Sequence, residues 1–330
     1  MKAIAVVSGG LDSMLSAKLI MNQGIEVTGV HLLIPFSKYA NENIYREKVK
    51  ELGKNLGIEI IALSTGIDYL ELIKKPRYGY GKNINPCIDC HIYMFKRAKK
   101  LMEEIDAKFI ITGEVLGQRP MSQNKATLEL IEKRSELQGL IVRPLSAKAL
   151  KETIPEKEGR IDREKLLGIV GKSRKIQLEK ARELGLQGYG TPAGGCLLTD
   201  PGFARRVQDL IKSDMLTLDT IDLIKNGRYF ALSDKFKLIV ARDYNENINL
   251  KSLAKERYLV IESISKGPDA IGIGDINDER IKQSVEIVAY YCKKEKEHAR
   301  IKYGIYPETG KYEMSINRNE IKIDLQKGAV

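Results

Sequence analysis

Over the first 185 residues, short apolar runs alternate with segments whose apolar residues recur at helical spacing, and that alternation leaves few folds open. Residues 3–7 form a continuous apolar run ending at Ser8-Gly9-Gly10, as expected of a strand buried on both faces. Leu11, Met14, Leu15 and Leu19 follow at helical spacing, with Gly24 placed to end that helix. Residues 26–34, 58–63, 108–112 and 140–142 read as further strands, and 43–56 and 90–105 as helices. Strand and helix in alternation require right-handed crossovers, hence an α/β fold: a doubly wound, mostly parallel sheet with helices on both faces. Ligands of such a sheet bind beyond the carboxyl ends of its strands. Residues 146–185 read as mostly helical, and the glycine-dense stretch from Gly188 to Cys196 signals an approaching boundary. A first domain over 1–200 and a smaller α+β domain over 201–330 are therefore expected. In the second, 228–232, 237–241 and 258–262 read as strands, 278–297 as a long helix, and 301–306 with 312–316 as a hairpin around Glu308-Thr309-Gly310.

Lys and Arg number 55 against 44 Asp and Glu, a formal charge of +11, which favours an anionic partner and nucleic acid ahead of membrane. With 43% hydrophobic and 30% charged residues the chain is no disordered polymer. Six Phe and no Trp leave no obvious platform for stacking bases. Four cysteines are too few for a disulfide scaffold, so a reducing cytoplasm is expected. The first apolar run is too short for a signal peptide, and none approaches the roughly 20 residues of a membrane span. No membrane partner is expected, and oligomeric state is not legible.

Ser8-Gly9-Gly10-Leu11-Asp12-Ser13 joins the first strand to the first helix. A glycine pair lets backbone approach an anion, the helix N-terminus offers unpaired N–H groups, and Ser8 and Ser13 add hydroxyls. A plain helix cap by Asp12 or Ser13 is the alternative. No Gly-Lys-Ser/Thr and no G-x-G-x-x-G is present, so neither a GTPase nor a dinucleotide oxidoreductase is supported. The string resembles the signature of the PP-loop ATP pyrophosphatase superfamily, whose members cleave ATP between its α and β phosphates and adenylate a carbonyl oxygen. That resemblance implies that Ser8, Gly9, Gly10, Asp12 and Ser13 contact nucleotide and pyrophosphate, and that Asp12 helps hold Mg²⁺, an ion suited to oxygen ligands.

Thr112-Gly113-Glu114-Val115-Leu116-Gly117-Gln118 follows a later strand at the same sheet edge, with Ser122-Gln123 beyond. Gly113 permits close approach, and Glu114, Gln118 and Gln123 offer polar contacts; a polar turn into a helix is the plainer reading. With Arg143-Pro144-Leu145 downstream, the stretch resembles the catalytic domain of tRNA 4-thiouridine synthetase, over about residues 2–185. Gly113 and Gln118 become nucleotide-binding candidates by that resemblance. The family's N-terminal RNA-binding modules and rhodanese-like site are not seen, so RNA docking and sulfur relay are expected to be replaced or supplied by partners.

Asn85-Pro86-Cys87-Ile88-Asp89-Cys90-His91 opens a helix, and is similar to a segment of the tRNA uridine 2-sulfurtransferase family. Cys87 and Cys90 at C-x-x-C spacing, with the distant Cys196, can bind a [4Fe–4S] cluster and leave one iron without a protein ligand. A persulfide and disulfide pair, a zinc completed by His91 or His31, and unconnected thiols are the other readings. Cys292, beside Val288-Ala289-Tyr290-Tyr291, reads as core. The clusters Lys172/Arg174/Lys175, Arg205/Arg206 and Lys293/Lys294/Lys296 read as solvated faces. Gly227-Arg228-Tyr229-Phe230 and the string from Val240 through Arg242 to Glu246-Asn247 resemble a small RNA-associated module of ribosome quality-control proteins.

These resemblances imply ATP-dependent thiolation of a tRNA uridine, with 4-thiouridine ahead of 2-thiouridine. Asp12, Cys87, Cys90 and Cys196 are the candidate catalytic residues, and the three cysteines the candidate metal ligands. ATP, Mg²⁺ and a [4Fe–4S] cluster are the implied cofactors; tRNA and a sulfur donor, free sulfide or a cysteine desulfurase, are the implied partners. A small-molecule amidotransferase or ligase, or a nucleotide-sensing RNA-binding protein, are the alternatives.

Overall fold

The computed structural model describes residues 1–39, 42–190, 196–264, 266–292 and 297–321. It comprises two compact units, Met1–Gly195 and Cys196–Val330. In the first, β1 (Lys2–Val6), α1 (Leu11–Met21), β2 (Glu26–Leu33), α2 (Glu42–Leu56) and β3 (Ile60–Ser64) come in turn. Then follow α3 (Ile67–Lys74), α4 (Cys87–Glu104), β4 (Ile110–Thr112), α5 (Lys125–Ser135) and β5 (Ile141–Val142). The five strands are all parallel, in the order β3-β2-β1-β4-β5. Side chains alternate across a strand, so Ala3 and Ala5 join a core with Met14 and Leu15 of α1, while Ile4 faces Phe95 and Ala98 of α4. Helices thus cover both faces, and the fold is doubly wound as expected. Chain order turns outward in both directions from β1 and β4, and the crevice between the loops that leave those two strands is where such sheets bind ligands.

Two local readings need correction. Helix α4 begins at Cys87 rather than Cys90, with Pro86 at its N-cap. Residues 146–185 are not mostly helical: 3-10 turns at Ala147–Ala149 and Arg163–Lys165 and the single turn α6 (Ile154–Lys157) precede α7 (Lys175–Glu183). The intervening backbone is spent on neighbouring segments. Leu167 N donates to Pro144 O, Ile169 N to Leu145 O and Gly171 N to Leu116 O, at 2.8, 2.8 and 2.7 Å. A chain so tied to others cannot close its own helical ladder.

In the second unit α8 (Pro201–Lys212) is capped by Asp200, and α9 (Leu218–Ile224), β6 (Arg228–Ser233), β7 (Phe236–Val240) and α10 (Tyr244–Ser252) follow. Then come β8 (Leu259–Ser263), β9 (Ala270–Gly274), α11 (Asp278–Tyr291), β10 (His298–Ile305) and β11 (Tyr312–Asn317). The sheet is antiparallel throughout, in the order β11-β10-β8-β9-β7-β6. Strand β9 was not legible, since Ala-Ile-Gly-Ile-Gly carries two weak strand formers in five residues. Helix α11 ends at Tyr291, and Lys293, Lys294 and Lys296 lie outside the described residues. Cys292 is core as expected: it is buried against Val288 and Ala299, with its thiol 2.9 Å from the Ser263 hydroxyl.

Candidate active site

The loop between β1 and α1 is shaped by Gly9, whose φ of +79° lies where a side chain is strained. The Ser13 hydroxyl donates to Gly10 O at 2.9 Å and accepts from Ser8 N at 3.2 Å, closing the loop on itself. Gly10 stands at the N-cap of α1 and no side chain caps the helix, so neither Asp12 nor Ser13 fills that role. The Asp12 carboxylate is instead held from two sides: Gln118 Nε2 and Arg174 Nη2 each donate to Oδ2 at 3.1 Å. Its other oxygen, Oδ1, is buried with no hydrogen-bond partner. A buried carboxylate oxygen left open at a helix N-terminus suits a hard cation that arrives with phosphate. The donor set therefore fits Mg²⁺.

Residues 113–119 connect this loop to the cysteines. Gly113 lies against α1 so closely that a Cβ there would sit 2.4 Å from Ser13 N, which is why no other residue fits. Glu114 is not a ligand contact as its position suggested. It is buried at 4% exposure, accepting from Arg143 Nε at 3.0 Å and bonded to His91 Nδ1 at 2.8 Å. Burial acts to raise its pKa, but Arg143 and His91 outweigh it and hold the carboxyl below its usual range. Arg143 also pairs with Glu132, so the arginine of the Arg-Pro-Leu string anchors Glu114 from beneath. Ser146, fully buried, accepts from Leu116 N at 2.9 Å and donates to Ile169 O at 2.7 Å. Arg119, at the far end of the segment, acts on Cys87: burial raises that thiol's pKa and the guanidinium opposes the rise.

Cys87 and Cys90 sit one turn apart at the start of α4, on one face with His91. Asp89 accepts from Arg77 N and Tyr78 N at 3.1 and 3.0 Å, tying the preceding loop to the helix. The Tyr69 hydroxyl lies 3.1 Å from Cys90 Sγ. A half-buried pair of cysteines is a fit donor set for a soft metal, which takes the place of the thiol protons on binding. Cys196 is the first residue of the second unit, and residues 191–195 of the glycine-dense loop lie outside the described ones. Among the described residues no three His, Cys, Asp or Glu side chains gather as metal ligands. His31 is occupied elsewhere, its Nδ1 on Val7 O at 2.5 Å and its Nε2 on the Tyr45 hydroxyl at 2.8 Å, so it completes no zinc site. His91, the other histidine named for a zinc site, is bound into the Glu114 network.

The start of the glycine loop also reaches the phosphate loop: Gly190 N donates to Gly9 O at 2.9 Å. Sequence reasoning named that loop but missed its contact, and missed Arg174 as well. Arg174 stood in a basic run read as a solvated face, and no local signal ties it to a carboxylate 162 residues away. In the second unit the expected RNA-associated strings are largely structural. Arg228 lies over the Tyr291 ring at 4.4 Å, Arg242 pairs with Glu246, and Asn247 Oδ1 accepts from Asp269 N at 2.9 Å. Among the described residues no helix is long and apolar enough to cross a membrane.

A doubly wound sheet with a glycine–serine anion loop at its switch point, and a carboxylate open beside it, defines a PP-loop protein. Comparison with known families makes this specific: residues 1–165, half of the chain, match the thiamine biosynthesis protein (ThiI) family, and the chain belongs to it. Residues 227–322 match the NFACT protein RNA binding domain. The probable tRNA sulfurtransferase of Thermococcus kodakarensis is 32% identical over 151 residues, 44% of this chain and 36% of that protein. The tRNA-specific 2-thiouridylase MnmA of Nitratiruptor sp. is 31% identical over 117 residues, 34% of each chain. The chain thus spans about a third of the length of these curated relatives. A crystal structure of a 4-thiouridine synthetase–RNA complex with bound ATP aligns with a TM-score of 0.40 at 21% identity, covering 68% of this chain and 53% of that one.

Proposed function

We propose that the protein is an ATP-dependent tRNA sulfurtransferase that adenylates a uridine carbonyl oxygen and replaces it with sulfur, forming 4-thiouridine in preference to 2-thiouridine. The observation that carries this reading is the 113–119 segment, in which Gln118 is bonded to the phosphate-loop carboxylate and Glu114 to His91, the neighbour of Cys90. A protein with nucleotide chemistry alone has no need to couple its anion loop to a cysteine pair. Family membership and the sulfur chemistry named for the relatives support it further.

In the first step the carbonyl oxygen bonds to the α-phosphorus of ATP and the bond to the β-phosphate breaks, releasing pyrophosphate. In the second, a hydrosulfide adds to the activated carbon, loses its proton, and the carbon–oxygen bond breaks to release AMP with the former carbonyl oxygen. Residues 8–13 bind and orient the phosphates, and Gly113 lets α1 and the β4 end close on them. Asp12 Oδ1 would hold Mg²⁺, whose charge offsets that of the phosphates. Cys87 and Cys90, with Cys196, would hold the [4Fe–4S] cluster, which supplies an iron without a protein ligand where sulfur can bind. The RNA binding domain match and the outward-facing His298, Arg300 and Lys302 of β10 support a second unit that holds tRNA by its backbone. The sulfur is free sulfide or comes from a cysteine desulfurase.

Nucleoside mass spectrometry of tRNA from a strain lacking the protein tests the reading. Loss of 4-thiouridine is expected, loss of 2-thiouridine moves the reaction to the other carbonyl, and an unchanged thionucleoside profile overturns it. Anaerobic purification, with absorbance at about 400 nm and iron and sulfide analysis, tests the cluster.

A further inference from the structure

We propose that Arg174 is a latch on the phosphate loop: it neutralises Asp12 while no phosphate is present, and passes to a phosphate oxygen when nucleotide binds, leaving Asp12 to the metal. The inference rests on residues 8–13 being the ATP site and concerns how that site discriminates between a bare cation and cation with nucleotide. Arg174 stands at the N-cap of α7, its side chain about a quarter exposed at 26%, with Nη2 3.1 Å from Asp12 Oδ2. Its backbone neighbourhood is fixed, because Gly171 N bonds to Leu116 O at 2.7 Å and Leu116 bridges Val170. Movement is therefore confined to the long side chain. Gln118 holds the same Asp12 oxygen, so the carboxylate keeps its orientation when the guanidinium leaves.

The charges favour the exchange. With Arg174 in place, a divalent cation approaching alone meets an ion pair and not a bare carboxylate, which weakens its binding. A triphosphate entering the same crevice offers the guanidinium a doubly bonded partner of higher charge than one carboxylate oxygen. Arginine then becomes part of the phosphate cradle, and the open Oδ1 of Asp12, still oriented by Gln118, is left to the metal. The loop is thereby made selective for metal and nucleotide together, without any further side chain.

Calorimetric titration of the full chain tests this with Mg²⁺ alone, ATP without Mg²⁺, and both together. Arg174→Gln is expected to bind Mg²⁺ alone about tenfold more tightly than the parent and metal-free ATP about tenfold more weakly, opposite shifts from one substitution. Arg174→Lys keeps the charge without the fork and should fall between the two. Lys175→Gln removes an exposed neighbouring charge and should leave both affinities within about twofold, which separates the latch from a change in net charge. Thermal midpoints of all variants report whether each is folded. Shifts of the same sign, or none, in Arg174→Gln overturn the latch while ATP binding by the parent leaves the nucleotide site standing. Failure of the parent to bind ATP with or without Mg²⁺ overturns the nucleotide site, and the latch with it.

Discussion

His31 is a histidine whose ionisation is moved well below its ordinary range. Its Nδ1 faces Val7 O, which can only accept, so Nδ1 carries the proton and Nε2 accepts from the Tyr45 hydroxyl. Burial disfavours the charged ring and lowers its pKa from 6.5 to about 4, the bond to Val7 opposing. Between those two values the unfolded chain binds more protons than the folded one, so stability falls as pH falls from 6.5 and the loss is complete below about 4. The total is of order 3 kcal/mol. His31→Phe removes this dependence, although at neutral pH it takes away the bonds to Val7 O and the Tyr45 hydroxyl at a cost of about 1–3 kcal/mol. Thermal midpoints from pH 7 to 4 should fall less steeply for the variant; parallel slopes would refute the assignment. None of this was legible from the letter H at position 31, which as a zinc candidate looked functional. The carbonyl and hydroxyl that occupy it come from Val7, 24 positions away, and Tyr45, 14 positions away.

At the scale of elements, the site depends less on strands and helices than on the three irregular stretches pinned at Ser146. That hydroxyl joins the 113–119 segment to the chain leading into α7, and so carries Gln118 and Arg174 to the same carboxylate. Ser146→Ala leaves Leu116 N and Ile169 O without this partner, and a loss of about 2–3 kcal/mol follows. ATP affinity should fall by a larger factor than thermal stability alone accounts for, because both Asp12 donors shift; a variant with unchanged affinity would place the organising contact elsewhere. Periodicity made β1 to β5 and α1 legible, since a buried strand and an amphipathic helix each leave a local pattern. The same reasoning failed across residues 146–185. Lys- and Glu-rich spacing there looked helical, yet the backbone donors of Leu167, Ile169 and Gly171 are claimed by Pro144, Leu145 and Leu116. The phosphate loop was legible because one short string contains all of it. The Glu114 network was not, because His91, Glu114, Glu132 and Arg143 come from four separate segments.

For the whole molecule, the charge of +11 acquires a testable meaning through the RNA binding domain match in the second unit. If the partner is held by its phosphates, affinity for tRNA falls steeply with salt, by at least about tenfold between 50 and 200 mM. Filter binding at several ionic strengths measures the slope, and a flat response would assign the excess charge to solvated faces. A different consequence follows from the place of β1 in the sheet. It is the first strand of the chain, yet it lies third of five, with β2 on one side and β4 on the other. During synthesis β2 follows within a few seconds, but β4 is made roughly 100 residues after β1, at about 5–20 residues per second. One edge of the future sheet centre therefore stands open for about 5–20 s, in a chain that has already collapsed around the other edge. The strand that later carries the phosphate loop is thus the surface that nascent-chain chaperones have most reason to shield.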